Sequence, residues 1–285
     1  MAKNIINSHW VPKVYMKEWA NKYKPKEKLI KMEVSKISSL DRKIEQVFYR
    51  KECCFEDIYN FPVEDATIEL NRIIEEEYLK YETQWNKLLN CVKSQKDILK
   101  NKDFIKKEIL CMFYRHPAVI DTFTEINKDE CIIIICEEAK KRNISDEEIQ
   151  KLKEFLNQVW YLNPNIIFRK DKDLGRYENW NVCVFYSQKH EFLFADFPII
   201  MDSKISFYDD KSHANILILP VTPNEAVVMY NPLYYNYDDC FIHNIDARKF
   251  NKQYLKNRYV KNVYAASKHA LLETINIPKR NDNII

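Results

Sequence analysis

Apolar positions recur at two different periods along this chain, and the switch between them divides it. Between residues 63 and 92, Leu70, Ile73, Ile74, Tyr78, Tyr81, Trp85, Leu88 and Leu89 recur at steps of three and four, the spacing of one helical face. The same spacing predicts a helix over 103–115, ended near Pro117 because the residue before a proline leaves the helical region, and another over 124–142. Ser145-Asp146-Glu147-Glu148 is a capping box that opens a helix over 146–161. After a polar loop over 166–181 the character changes. Residues 182–186 and 191–195 read as strands, joined as a hairpin through Ser187 to His190. Further strands are predicted over 215–219 and 226–230. Asp246 opens a last helix to about residue 269. Ahead of the helical block, 9–20 reads as a short helix with Pro12 in its first turn, and 29–34 and 44–49 as a strand pair. The layout is α+β: a helical block packed on an antiparallel sheet, with a docked N-terminal segment and a C-terminal basic helix. It reads as a single domain over 1–285, made of 1–62 (motif and hairpin), 63–163 (helices) and 164–285 (sheet and last helix).

Composition excludes more than it assigns. Hydrophobic residues make up 46% of the 285 positions, enough for a core and too many for a disordered chain. There is one glycine, Gly175. Phosphate-cradling loops need glycines for close backbone approach, so a P-loop, a Rossmann fingerprint and a Gly-x-Ser-x-Gly elbow are all excluded. Tight turns fall to Asn, Asp and Pro. The net charge of +3 balances 45 basic against 42 acidic residues and does not by itself imply nucleic acid. The eight cysteines are scattered and read as reduced thiols of a cytoplasmic protein. Cys53-Cys54 is a poor zinc pair without a Cys-x-x-Cys or paired histidines nearby. No apolar run approaches the length of a membrane span, and none resembles a signal peptide.

The opening His9-Trp10-Val11-Pro12-Lys13-Val14-Tyr15-Met16 is rich in large residues where chain ends are usually loose, so it is expected to dock. Its order, His-x-Val-Pro-x-x-Tyr-aliphatic, resembles the opening of a bacterial family, domain of unknown function 4238. Tyr114-Arg115-His116-Pro117 is similar to that family's Arg-x-Pro at a helix end. Phe192 to Ile199 resembles its strand running into Ser-Asp-x-Pro, with Ala195 where the family has Ser and Phe197 where it has Asn. Leu219-Pro220-Val221-Thr222-Pro223, Asn244 and Tyr264-Ala265-Ala266-Ser267 resemble later motifs. The resemblance names a family and not a reaction.

Each candidate site has a chemical and a structural reading. His9 has the pKa range of a general acid or base, or it pins the N-terminus to a backbone carbonyl. Asp196, at a strand end, suits acid–base work or a divalent cation such as magnesium, or it caps a turn. His190 and Glu191 with Asp196, and Asp202 beyond, make up a candidate metal set. Arg115 grips an anion or answers a helix dipole. The resemblance alone groups His9, Arg115 and Asp196 in one cleft. Between Asp246 and Glu273 there is no acidic residue, and Lys249, Lys252 and Lys256 share a helical face with aromatics between them. Such a face tracks phosphates and stacks bases, unless its aromatics turn to the core. Tyr15 joins these as a candidate substrate contact. Two functions stay open. One is a hydrolase acting on RNA or DNA, a nuclease of toxin or phage-defence type, using His9, Asp196 and His190. The other is a non-enzymatic binding protein, an inhibitor or sensor with a protein partner, in which the motifs are structural. A nucleotide pocket lined by aromatics stands behind both.

Overall fold

A computed structural model describes residues 7–21, 27–36, 43–56, 73–116, 128–159, 177–201, 215–257 and 259–275. The expected loop with Gly175, Asp202, and the starts of the helices expected at 63 and 124 lie outside these residues.

The strand pair of the N-terminal segment forms as expected. β2 (Lys28–Glu33) and β3 (Ile44–Phe48) are antiparallel, with Ile30 opposite Gln46. The opening is a strand and then a helix, not one helix. β1 (Asn7–His9) pairs antiparallel with β4 (Cys54–Glu56), and α1 (Lys13–Asn21) begins after Pro12, whose carbonyl takes the first helical bond from Met16.

The helical block contains α2 (Ile73–Glu82), α3 (Trp85–Cys91), α4 (Gln95–Lys100), α5 (Lys102–Tyr114), α6 (Lys128–Lys141) and α7 (Asp146–Val159). The pattern read as one helix to residue 92 breaks at Thr83-Gln84. α6 ends in the manner a glycine-poor chain demands. Asn143 takes a φ of 59°, a conformation that Asn tolerates better than most residues. The Ile144 N–H then reaches the Ala139 carbonyl at 3.2 Å and the Asn143 N–H the Lys140 carbonyl at 3.0 Å, a glycine-type helix stop made without glycine. Ser145 next caps α7, accepting from the Glu148 N–H at 3.3 Å and donating to its carboxylate at 2.9 Å.

Among the described residues two larger sheets follow. The first runs β10-β5-β9-β8-β7, from β5 (Asn181–Tyr186), β7 (Ile200–Met201), β8 (Ile216–Pro220), β9 (Glu225–Tyr230) and β10 (Ile242–Asn244). It is antiparallel except for the β10–β5 pair. The second runs β3-β2-β11-β6, with β6 (Phe194–Ala195) and β11 (Asn262–Ala265). Two expectations are corrected here. The strands at 182–186 and 191–195 are not a hairpin but belong to different sheets, and Ser187 to His190 carry the chain across. The Ser187 N–H bonds the Asn224 carbonyl at 2.8 Å and the Phe192 N–H the Pro223 carbonyl at 2.7 Å, so this segment is held by the β8–β9 turn. The last helix is not continuous to 269. α8 (Ala247–Lys256) stops at Asn257, β11 intervenes, and α9 (Lys268–Ile275) resumes. Val263, Tyr264 and Ala265 are buried in that strand, and β-branched and aromatic residues favour a half-buried pleat.

One apolar core draws on residues from Val11, just ahead of α1, to Leu271 in α9. A smaller one joins Ile73, Cys111, Ile132, Ile135, Ile149, Leu152 and Leu156 from α2, α5, α6 and α7. No helix among the described residues is long and apolar enough to cross a membrane.

Candidate functional site

The motif residues His9, Arg115 and Asp196 do come together, as a knot of main-chain contacts. His9 is buried, and its Nε2 lies 3.1 Å from the Arg50 carbonyl. Its own carbonyl accepts from Arg115 Nη2 at 2.6 Å. Arg115, 1% exposed, also pairs with Glu82 at 2.8 Å. One residue on, the Trp10 indole donates to the Asp196 carbonyl at 2.8 Å. The Asp196 carboxylate accepts from the main-chain N–H groups of Lys261 (3.1 Å) and Asn262 (3.0 Å) and from the Asn262 amide (3.1 Å). It clamps the end of β6 to the start of β11. Burial pushes its carboxyl up to about 6, against the N–H donors of Lys261, Asn262 and Phe197, which pull it down. His116 lies edge-on to Phe197 at 4.7 Å, and burial, helped by the Lys261 charge, lowers it to about 3. Its imidazole is neutral at physiological pH.

Tyr15 is fully buried, 4.9 Å from Trp19, 5.3 Å from Trp85 and 5.4 Å from Phe194, ring centre to ring centre. That position corrects the expectation that it meets a substrate, because aromatic core encloses it. Two of the aromatics between the late lysines, Tyr254 and Tyr264, also face inward. The Tyr254 hydroxyl donates to the Pro198 carbonyl at 2.6 Å, and Tyr264 stacks on Phe194 at 4.9 Å. Among the described residues no three His, Cys, Asp or Glu side chains gather as a metal-holding group. The grouping of His190 and Glu191 with Asp196 is thereby corrected: His190 turns to Glu273 instead, 3.2 Å from Nδ1 to Oε2.

His190 and Lys249 meet elsewhere, at an open pocket of about 640 Å³. It forms where β5 and its parallel neighbour β10 end together, Tyr186 opposite Asn244, and where α8 begins. The carboxyl ends of parallel strands are a common place for ligands. Ser187 ties this corner down by accepting the Ala247 N–H at 3.2 Å. Asp246 caps α8 by accepting from the Arg248 N–H at 3.0 Å, and its carboxylate is gripped by the Arg248 guanidinium at 2.7 Å. Burial raises the Asp246 carboxyl, but the Arg248 hydrogen bonds and charge outweigh it and hold the group below the usual carboxylate range.

The remaining walls divide by chemistry. Tyr235, Tyr237 and Phe250 form an aromatic side. Tyr235 and Tyr237 are parallel within 7° at 6.2 Å, and Tyr237 is backed by Phe185 at 5.0 Å. Lys189 and Lys249 line the pocket, both exposed, and no ion pair among the described residues neutralises either ammonium. Lys252 and Lys256 continue along α8, the first half-buried and the second exposed. Glu273, on α9, also meets His269 at 3.4 Å.

Sequence reasoning reached His190 and Lys249 and missed Lys189, Tyr235, Tyr237 and Glu273. The run Tyr234-Tyr235-Asn236-Tyr237 was the available signal, since aromatics crowded into a polar loop are not accounted for by a core.

The model of a protein family of unknown function (DUF4238) matches residues 7–269. The chain belongs to this family. The match takes in the opening strand, the Asp196 clamp and the pocket together. No curated protein and no solved structure matches the chain.

Proposed function

We propose that this protein binds single-stranded nucleic acid, or a nucleotide end of it, in the pocket between the β5–β10 corner and α8. The observation that carries the reading is the pairing of two ammonium groups, Lys189 and Lys249, with the parallel rings of Tyr235 and Tyr237 around about 640 Å³ of open space. Phosphate calls for cations and a base calls for an aromatic face, and single-strand binders combine the two. On this reading Lys249 and Lys189 hold phosphate, Tyr237 and Phe250 receive a base, and Lys252 and Lys256 extend the basic track.

The test is fluorescence anisotropy with labelled single-stranded RNA and DNA. Binding by the native chain, lost in Lys249→Glu and weakened in Tyr237→Ala, supports the reading. Equal binding by all three proteins, or none by any, removes it.

A second component of the proposal is hydrolysis of the bound strand, a nuclease activity suited to a toxin or phage-defence setting. The His190–Glu273 contact favours it, since a carboxylate-oriented imidazole is a general-base arrangement. The competing reading is a non-enzymatic inhibitor or sensor with a protein partner. In its favour, His9, Arg115 and Asp196 each bond main chain of a distant segment, as structural ties do.

A further inference from the structure

The pocket holds one imidazole whose geometry is set by a carboxylate. His190 Nδ1 lies 3.2 Å from Glu273 Oε2. An ionised carboxylate only accepts, so Nδ1 carries the proton and Nε2 is the basic nitrogen left for a ligand. The pairing is anchored from outside the pocket. Asn251 is fully buried in α8 and donates to the Glu191 carbonyl at 2.8 Å and to Thr274 Oγ1 at 3.3 Å. The residue after His190 and the residue after Glu273 thus hang on one side chain. Asp246, a carboxylate that lines the pocket, is already taken by Arg248. An imidazole base oriented by a carboxylate beside two cations suits a substrate that brings its own nucleophile.

We infer that the substrate is RNA and that His190, positioned by Glu273, is the general base for attack by the 2′-hydroxyl on the neighbouring phosphate. The inference rests on the nucleic-acid reading of the pocket. In the step, His190 Nε2 takes the 2′-hydroxyl proton, a bond forms between O2′ and phosphorus, and the bond from phosphorus to O5′ breaks. The departing O5′ takes a proton from solvent. The products are a 2′,3′-cyclic phosphate end and a 5′-hydroxyl end, and no water, oxidant or further reactant is consumed. Lys189 and Lys249 face the charge that builds on the non-bridging oxygens. Glu273 is a positioning residue: it fixes the tautomer and steadies the imidazolium that forms, as the orienting carboxylate of a triad does.

The experiment uses the full chain in EDTA with an end-labelled RNA oligonucleotide, the DNA of the same sequence and the 2′-O-methyl RNA. The expected result is cleavage of RNA alone, leaving cyclic phosphate ends, with the 2′-O-methyl RNA bound and intact. His190→Ala is expected to lose about a hundredfold or more in rate, to keep binding the 2′-O-methyl RNA, and to regain cleavage with added imidazole. Glu273→Gln is expected to lower kcat with binding unchanged. Should His190→Ala melt below the native chain, His190→Gln takes its place. Binding of 2′-O-methyl RNA with no cleavage of RNA by the native chain overturns this inference and leaves the binding proposal standing. Cleavage of DNA at a matching rate, 3′-hydroxyl products, or undiminished cleavage by both histidine variants also overturns it. Failure to bind any of the strands overturns the pocket reading itself.

Discussion

Asp196 and His116 sit within reach of the same strand, and burial shifts both, with opposite consequences for stability. His116 titrates at about 3 in the fold against 6.5 ordinarily. Between those values the unfolded chain binds the extra proton, so its contribution is full above pH 6.5 and is lost as pH falls toward 3. Asp196, at about 6 against 3.8, works the other way, and its contribution declines as pH rises from about 4 to 6. His116→Gln is therefore expected to flatten the acid side of a stability curve taken by urea unfolding, by up to about 1.4 kcal/mol per pH unit below pH 6.5. An unchanged slope would mean that the imidazole is charged in the fold. Removing Asp196 has a separate cost. Asp196→Ala strands the Lys261 and Asn262 N–H groups and is expected to lower stability by about 1–3 kcal/mol. Binding at the pocket is expected to persist in the fraction that stays folded. Loss of binding without loss of stability would return Asp196 to a functional role.

At the scale of elements, local signals were legible and long-range partners were not. The Ser145 capping box, the helix α7 that it opens and the β2–β3 pair lie within short windows, and each forms where the sequence places it. The run over 182–195 fails because a four-residue polar gap looks the same whether the chain turns back or crosses to another sheet. The deciding contacts come from Asn224 and Pro223, more than thirty positions away in the chain. The basic stretch after Asp246 fails for a different reason. Lys249, Lys252 and Lys256 fit a helical spacing, while Val260, Val263 and Tyr264 carry strand preference that this spacing does not register. The candidate site shares this limit: His190 and Lys249 stood out as residue types, but their partner Glu273 is contributed by α9. Asn251 holds these elements in register, accepting the Leu193 N–H at 2.9 Å as well as donating to Glu191 and Thr274. Asn251→Ala is expected to cost about 2–4 kcal/mol in chemical unfolding and to weaken cleavage through misplacement of His190 and Glu273. A loss below about 0.5 kcal/mol, the range of a surface change, would mean that the clamp is dispensable.

For the whole molecule, the ties between distant segments and the pocket divide the work. The opening His9-Trp10 segment, Arg115 at the end of α5 and Asp196 after β6 are separated by much of the chain, yet Arg115 closes on the His9 backbone, Trp10 on that of Asp196, and Asp196 on that of Lys261 and Asn262. They are points where distant segments of the matched range, 7 to 269, are tied. The pocket is lined by Lys189, Lys249, Tyr235 and Tyr237. Net charge concealed it, because +3 over 285 residues averages a basic corner with acidic helices elsewhere.

The most direct measurement is the salt dependence of single-stranded RNA binding by the native chain and by Lys249→Gln. If Lys249 neutralises a phosphate in the pocket, affinity falls with salt, and the variant binds more weakly with a slope of log affinity against log salt shallower by about 0.7. Binding with the same affinity and slope in both proteins would contradict the pocket as the nucleic-acid site.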